Sequence, residues 1–321
     1  MKPAIRFAAL ALSLFVHCAA AQTFPSKPVR VVVPFPPGGT SDTLTRAIAQ
    51  ELTRMWGQPV LVDNKPGAGT VIGAEAGAKA PPDGHTIVFV TGGMMTINPA
   101  VYKRLPYDPV KSFAPVTIML RQSLGLVAHP SVRASNLKEL VELAKAQPDM
   151  LNYASLGVGT ELHLAMERFA QLAGIKLFHV PGKGTAQMAA DVIAGTVQLA
   201  FLGTASTSGA IRDGRLKVFA YGATARTPLL PNTPTFIEEG YNFLASAWWG
   251  LAVPAGTPRD IINRIQKDVV SVIVVPEFQE KRMRPFGYEA VANTPEQFAA
   301  VIREELEIWQ RVVKQANISV D

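Results

Sequence analysis

Short apolar runs of strand length alternate with segments of helical periodicity, and this alternation most narrows the choice of fold. Val29–Val33 is an apolar run typical of a buried strand, and Val60–Val62 is another. Between them, Asp42–Trp56 places its apolar residues at the spacing of one helix face. Strand, helix and strand in that order predict an α/β fold with a parallel sheet.

The same alternation continues along the chain. Further strands are predicted at Ile87–Val90, Leu124–Ala128, Leu151–Ala154, Leu177–Val180, Val197–Leu202 and Leu216–Tyr221, and helices at Leu137–Ala146, Glu161–Ala173, Thr185–Ala194 and Arg259–Val275. A last helix is expected from Thr294–Gln297 onward, where a threonine, a proline and a glutamine form a capping-box signature.

Two consecutive α/β units predict two lobes. Phe113–Gln122 lies between the units and is interpreted as one crossing strand, and Phe243–Val253 as a second that returns the chain to the first unit. We therefore expect residues 22–122 together with 246–321 to form lobe 1, and residues 123–245 to form lobe 2. No Gly/Ser-rich linker separates the lobes, which favours paired hinge strands over a flexible tether.

The first 21 residues have the pattern of a secretory signal peptide. Lys2 and Arg6 precede an apolar run of about ten residues, Phe7–Val16, and Ala19–Ala21 offers a cleavage site of the A-x-A type. The run is too short to span a bilayer, and a buried N-terminal helix is the less favoured alternative. Lipidation of Cys18 is a minor alternative, because the three residues before it are not small.

Cys18 is the only cysteine, so the processed chain has no thiol for a disulfide, a nucleophile or a metal site. The net charge of +6 falls to +4 without Lys2 and Arg6, and the remaining basic residues form no stripe for nucleic acid. No G-x-S-x-G, H-E-x-x-H or Gly-Lys-Ser/Thr motif occurs, and the histidines lack metal-ligand spacing. We expect no enzyme activity, cofactor, metal, nucleic-acid partner or membrane insertion, and a monomer.

Glycine-rich turns between strands and helices carry the functional prediction. Pro34–Asp42 follows the first strand and opens a long helix, whose unpaired N–H groups can bind an anion. Ala154–Thr160 is equivalent in the second unit, and Pro181–Thr185 is a third such turn. Ligands of open parallel sheets bind at the carboxyl ends of the strands. Facing turns would therefore form a cleft for a small acid, lined also by Thr91–Met94 and Leu202–Thr204.

The candidate ligand-binding residues all belong to these turns or directly follow them. They are Phe35, Pro37, Gly38, Gly39, Thr40, Ser41, Asp42, Thr91, Gly92, Gly93, Met94, Ser155, Gly157, Gly159, Thr160, His163, Gly182, Lys183, Leu202 and Gly203. Each also has a structural interpretation, since glycine turns serve packing in many α/β proteins. Asp42 is better explained as a helix cap, His163 as a hydrogen-bonded structural histidine, and Lys183 as a solvated charge.

A set of longer motifs extends from Phe24 to the C-terminus. It includes Phe24–Arg30, Val33–Asp42, Asp63–Gly69, Ile72–Glu75, Ala80–Thr86, Ile97–Pro99, Leu105–Pro109, Phe113–Val116, Leu151–Ser155, His179–Pro181, Pro254–Pro258 and Thr294–Phe298. Together these motifs resemble the Bug/TctC family, the solute receptors of tripartite tricarboxylate transporters. The resemblance implies a type II periplasmic-binding-protein fold with two crossing strands, and a carboxylate bound by the loops Pro36–Asp42, Thr91–Met94 and Ser155–Thr160.

Two positions depart from the pattern that the resemblance implies. Gly182 stands where the family usually has a tyrosine, and Leu202-Gly203 replaces an Asp-Asn pair. Loss of a bulky and a polar side chain should change the pocket, so we expect a bulkier or less polar acid than an acidic amino acid, such as an aromatic one.

The leading hypothesis is a periplasmic receptor that captures an acid by lobe closure and presents it to membrane permease subunits. A ligand-sensing partner of a receptor kinase stays open as an alternative, because the docking surface has no recognisable signature. A transferase on the same two-lobed fold is less favoured, since it would need a cofactor cysteine or a phosphate loop.

Overall fold

The computed structural model describes residues 24–182 and 184–320, and the predicted signal peptide and Lys183 lie outside them. The strands are β1 (Val29–Val33), β2 (Val60–Asn64), β3 (Thr86–Thr91), β4 (Phe113–Ala128), β5 (Asn152–Ser155), β6 (Phe178–Pro181), β7 (Leu199–Gly203), β8 (Lys217–Tyr221), β9 (Ser246–Pro254) and β10 (Tyr288–Ala290). The helices are α1 (Thr40–Trp56), α2 (Val71–Ala78), α3 (Asn98–Val101), α4 (Leu137–Ala146), α5 (Glu161–Ala173), α6 (Thr185–Ala194), α7 (Thr204–Arg212), α8 (Arg259–Ile273), α9 (Pro276–Arg282) and α10 (Pro295–Ala316).

A mixed sheet in the order β2-β1-β3-β9-β4-β7-β5-β6 runs through the described residues, with β8 and β10 also paired to β4. Strands β1, β2 and β3 are mutually parallel, and so are β5, β6 and β7. The first part of β4 pairs with β9, and its last five residues pair with β7 and β8. The predicted α/β alternation with parallel strands is confirmed.

The long strand β4 connects the two groups of parallel strands. The sequence predicts a crossing strand at 113–122 and a separate strand at 124–128, but the structure joins them into one strand of 16 residues. Gly125 does not interrupt it, because the strand is hydrogen-bonded on both sides there, by β7 and by β8. The second crossing segment begins as strand β9 at Ser246, three residues later than expected.

Separate apolar cores lie on the faces of the sheet. Two of them draw only on residues between Leu124 and Ala245, and pack the sheet against α4 and α5 or against α6 and α7. Two others draw on residues before Gln122 and after Ser246, around α1, α8 and α10. A fifth, smaller cluster packs Leu164 of α5 against Trp309 of α10, across the two groups. The lobe boundaries at 122/123 and 245/246 stay a prediction.

The carboxyl ends of both parallel groups lie near the middle of β4. Thr91, the last residue of β3, is opposite Trp249, which is itself opposite Leu120 of β4. Gly203, the last residue of β7, is opposite Leu124. The turns that follow the strands of the two groups therefore point toward a common region.

Candidate functional site

The turn after β1 is held by the buried carboxylate of Asp42. Its Oδ2 accepts hydrogen bonds from the backbone N–H of Gly38 (2.9 Å) and from Nε of Arg46 (3.0 Å). Its Oδ1 accepts one from Nδ2 of Asn64 at the end of β2 (3.0 Å). Asp42 was expected to cap α1, but the N-cap residue is Gly39 and no side chain caps it. Asp42 instead fixes the turn from inside the first helical turn.

The hydrogen bonds around Asp42 decide its charge. Burial alone would raise the pKa of its carboxyl, but the bonds from Arg46, Gly38 and Asn64 outweigh burial and hold the pKa below its usual value. Asp42 is therefore ionised at neutral pH. A negative charge at this position also complements the N-terminal end of the helix dipole.

Residues 36–40 of this turn are exposed, while the chain on either side is buried or half-buried. Gly38 has a φ of +82°, a left-handed conformation that favours glycine. Phe35 packs edge-on against Phe89, and its carbonyl accepts a hydrogen bond from Asn64. The Thr40 side chain hydrogen-bonds with Tyr288. The turn thus presents Pro37, Gly38, Gly39 and Thr40 to solvent, with Ser41 half-buried.

The segment after β3 is not the loop that the sequence suggests. Gly93–Ile97 forms a π-helical turn, in which the Met94 N–H donates to Oγ1 of Thr91 (3.1 Å). The Thr96 hydroxyl donates to the carbonyl of Gly92 (2.8 Å). The Met94 side chain is fully buried in the core, because this turn continues the apolar face of the sheet. Because Gly92 and Gly93 have no side chain and that of Met94 is buried, only backbone groups of these three residues are left for a ligand.

The turn after β5 closes on its own side chains. The Ser155 hydroxyl is fully buried, lies 2.6 Å from Nε2 of His179, and accepts a hydrogen bond from the Gly157 N–H (3.1 Å). The Thr160 hydroxyl donates to the Gly157 carbonyl (2.7 Å). Gly157 and Gly159 have positive φ values of +123° and +74°. Both predicted hydroxyl contacts thus serve the turn itself.

His163 supports this turn from below. Its Nδ1 accepts a hydrogen bond from the Gly159 N–H (3.1 Å), and its ring stacks on that of His179 with centroids 4.0 Å apart. Burial, and then the charge of His179, lower the pKa of His163 to about 4, so the imidazole is neutral at neutral pH. The Tyr153 ring packs against both histidines, with centroids 5.0 Å from His179 and 6.2 Å from His163, and its hydroxyl donates to Glu167 (2.6 Å). His163 therefore positions the turn, as the structural interpretation expects.

The two positions that depart from the family pattern are tightly packed. A Cβ at Gly182 would lie 3.1 Å from Cγ of Met188 and 3.1 Å from the Ser155 carbonyl. A Cβ at Gly203 would lie 2.8 Å from Nε2 of Gln122, which donates to the carbonyl of Phe286. Leu202 is buried in the core. Gln122 was missed by sequence reasoning, because its partners lie far away along the chain.

The structure brings some predicted residues of the two groups together and leaves others apart. A Cβ at Gly92 would lie 3.1 Å from Oε1 of Glu161, the residue after Thr160. A Cβ at Gly159 would lie 3.6 Å from Val101, which follows the π-helical turn. In the turn at residues 36–40, a Cβ at Gly38 or Gly39 would have no described residue between 123 and 245 within 4 Å.

A cavity of about 540 Å³ lies between the two groups of strands, beside the predicted turns rather than among them. Its walls include Tyr221, Leu229, Arg284, Tyr288 and Glu289. The Tyr288 ring packs against Trp249 (5.1 Å between centroids) and stacks on Phe286 (5.7 Å), while its hydroxyl reaches Thr40. An aromatic wall thus borders the start of α1, and the sequence did not single it out.

Over residues 24–182 and 184–320, no three His, Cys, Asp or Glu side chains are grouped so that they could hold a metal ion. Over the same ranges, no helix has both the length and the apolar character needed to cross a membrane.

Comparisons with known proteins identify the family. The family described as "Tripartite tricarboxylate transporter family receptor" matches residues 44–318. The protein of the tcbD–tcbE intergenic region of Pseudomonas sp. strain P51 is 32% identical over 98% of this chain and 94% of its own length. BugT of Bordetella pertussis is 32% identical, over 92% of this chain and 91% of its own.

Solved structures agree with this fold. Rpa4515 of R. palustris, solved with adipate, has a TM-score of 0.74 at 30% identity and covers 92% of this chain and 99% of its own. MatC from Rhodopseudomonas palustris, solved with bound malate, has a TM-score of 0.71 at 30% identity and covers 90% of this chain and 100% of its own. The periplasmic binding protein BugD has a TM-score of 0.71 at 33% identity and covers 92% of this chain and 99% of its own. The predicted periplasmic-binding-protein fold is confirmed, and this chain belongs to the Bug/TctC family of periplasmic solute-binding proteins.

Proposed function

We propose that this protein captures a small organic acid in the periplasm by closing two lobes around it. It then presents the acid to the membrane subunits of a tripartite tricarboxylate-type transporter. Residues 22–122 with 246–321 form one lobe in this proposal, and residues 123–245 form the other. The first 21 residues direct export and are removed.

The observation that carries the proposal is the placement of glycine turns at the carboxyl ends of two parallel strand groups that meet at β4. The turn at residues 36–42 ends at the start of α1, and that at 155–160 at the start of α5. The first N–H groups of a helix have no intrahelical acceptor, and the helix dipole favours negative charge there. Two such helix ends suit an acid with a carboxylate, and relatives solved with adipate and malate support this class.

The acid we expect is bulkier or less polar than aspartate. Tyr288, Trp249 and Phe286 form an aromatic wall next to Thr40, and the adjacent cavity of about 540 Å³ has room for an organic acid of moderate size. Leu202 and Gly203 provide no carboxylate or amide side chain at the end of β7. A ring or long methylene chain would contact this wall, while its carboxylate meets the helix ends.

The first test is native mass spectrometry of protein purified without refolding, followed by titration calorimetry with the acid that is found. A fixed panel of malate, adipate, benzoate, aspartate and glutamate is titrated in parallel. We expect adipate or benzoate to bind more tightly than the two amino acids. Tight binding of aspartate or glutamate alone would refute the expected ligand class, and binding of no acid would refute the function.

A matched pair of variants tests the place of binding. Thr40→Val removes a hydroxyl at the exposed start of α1, and Thr43→Val makes the same change one turn further along on an exposed position. Loss of one hydrogen bond to a ligand is worth about 0.5–1.5 kcal/mol, a roughly two- to tenfold weaker Kd. We expect this effect for Thr40→Val only. Equal affinities of both variants would place the acid elsewhere.

A further inference from the structure

We propose that closure of the two lobes takes up a proton, which is held by a pair of carboxyl groups, Glu161 and Glu305, where the lobes meet. The inference concerns the regulation of the same cleft and rests on the proposed function only in taking lobe closure as the working motion. Glu161 belongs to α5, in the predicted lobe 2, and Glu305 to α10, in the predicted lobe 1.

Glu161 extends across the boundary between the lobes. It is the first residue of α5, directly after the binding turn, and its Oε1 points at Gly92. A Cβ at Gly92 would lie 3.1 Å from this oxygen and 3.2 Å from Nε1 of Trp248. Gly92 has φ −53°, which any residue can adopt, so its lack of a side chain serves the close approach of Glu161.

Glu305 approaches the same place from the other lobe. Both of its carboxyl oxygens lie 3.0 Å from Nε1 of Trp248, and its Oε2 accepts a hydrogen bond from the Thr96 hydroxyl (3.0 Å). Trp248 and Thr96 are almost completely buried. The indole that binds Glu305 and the Glu161 carboxyl thus both lie beside Gly92, where the two half-buried glutamates meet next to the buried Trp248 and Thr96.

The charged groups around the pair do not neutralise Glu161. Arg121 of β4 acts on Glu305 and on Glu289 of β10, and Arg168 of α5 acts on Glu305 and Glu304. The Arg168 guanidinium lies over the rings of Phe243 (5.6 Å) and Trp309 (5.8 Å), and Arg311 opposes its charge. β9 and the π-helical turn contribute only Trp248, Gly92 and Thr96. Among the described residues, no cation forms an ion pair with Glu161.

This arrangement favours a proton on Glu161. Burial, and then the charge of Glu305, raise the pKa of Glu161 from 4.5 to about 8. Burial also raises the pKa of Glu305, against the bonds from Trp248 and Thr96 and the charge of Arg121. Glu305 accepts hydrogen bonds from Trp248 and Thr96, which favour its ionised form, so the proton of the pair falls on Glu161.

The sign of the pH dependence follows from linkage. In an open form Glu161 is hydrated and ionises above about 4.5, whereas in the closed form it stays protonated up to about 8. Between these values closure takes up a proton, so the closing equilibrium weakens up to tenfold per pH unit as the pH rises. Glu161 contributes no pH dependence to closure below or above this window. Alkaline conditions therefore open the lobes.

The test uses ligand-free protein and two measurements from about pH 4 to about pH 9, a range that includes both limits of the window. NMR of ¹³C-carboxyl-labelled glutamate follows the titration of Glu161, and small-angle X-ray scattering gives the radius of gyration. We expect a Glu161 midpoint well above 4.5 and a radius that increases with pH. Glu305→Gln should lower the midpoint, and Glu161→Gln should keep the radius small at every pH.

Glu304→Gln is the matched control, because Glu304 is the exposed neighbour of Glu305 and should leave both curves unchanged. A Glu161 midpoint near 4.5, or one that Glu305→Gln does not lower, would overturn the carboxyl pair. A wild-type radius that does not change with pH would overturn the coupling to closure. These outcomes do not depend on the titrations with the acid panel. If none of the acids binds, the proposed function is refuted, but the proton uptake by Glu161 is not.

Discussion

Acidification should destabilise the protein through His163, the imidazole beneath the turn at residues 155–160. Protonation of Nδ1 removes the acceptor for the Gly159 N–H and puts a charge on a ring 4.0 Å from that of His179. His163 is 5% exposed, so water cannot replace the lost partner. The folded protein therefore resists a proton that the unfolded chain accepts.

The size of the effect follows from the two pKa values. The pKa of His163 is lowered from 6.5 to about 4 in the folded state, by burial first and by His179 second. The stabilisation is fully present above 6.5 and is lost as the pH falls toward 4, because there only the unfolded chain binds the proton. The difference between the unfolded and folded pKa values of His163 corresponds to about 3 kcal/mol of the free energy of unfolding.

Urea unfolding at several pH values between about 7.5 and about 4 measures this loss. His163→Asn offers a side-chain carbonyl as a non-titrating acceptor, so its stability should decline about 3 kcal/mol less than that of the wild type over this range. His129→Asn is the control, since His129 is more exposed and bonds to Ser131. If the wild type and His163→Asn lose stability in parallel, His163 is not the buried neutral group that the structure indicates.

Two further predictions concern the packing of the site. Asp42→Ala should lower the free energy of unfolding by about 2–4 kcal/mol in urea, because it removes the acceptor that Gly38, Asn64 and Arg46 share; a loss below that of Asp42→Asn would contradict this role. Gly203→Ala should cost about 0.5–1.5 kcal/mol, since its Cβ would lie 2.8 Å from Nε2 of Gln122 and would displace the hydrogen bond from Gln122 to Phe286. In a double-mutant cycle, Gln122→Ala should remove that cost, and simple additivity would argue against the clash.

The alternation of strands and helices is predictable because hydrophobic periodicity is local. The run Val29–Val33 and the helical face of Asp42–Trp56 each carry their own signal, and the elements appear at those positions as β1 and α1. The capping box at Thr294 and Gln297 is also local, and both of its hydrogen bonds form. Such features need no knowledge of distant residues.

Other elements give no local signal. Helix α7 is rich in Thr, Ser and Gly, which have low helix propensities, and the sequence did not predict it. Its Ser206 and Thr207 hydroxyls donate to the Gly203 carbonyl, so the helix begins with side-chain bonds that propensities do not register. The helical conformation of residues 92–97 was missed for a similar reason, since two glycines suggest a loop.

Side-chain roles in the site were the least predictable, because they depend on residues far apart in the chain. Ser155, Thr160 and His163 were correctly placed at the turn, but their polar atoms bond within it or to His179. Glu161 was seen only as the start of a helix. Its partner Glu305 follows 144 residues later, and no spacing rule connects the two.

The departures at Gly182 and Gly203 have a structural consequence that the sequence alone does not reveal. The space beside each glycine is not left open, because Met188 lies against Gly182 and Gln122 against Gly203. Restoring a larger side chain at either position would meet a neighbour that already occupies the volume. We therefore expect the ligand preference to follow Met188 and Gln122 as much as the two glycines. Replacing a glycine alone should lower stability before it changes the preferred acid.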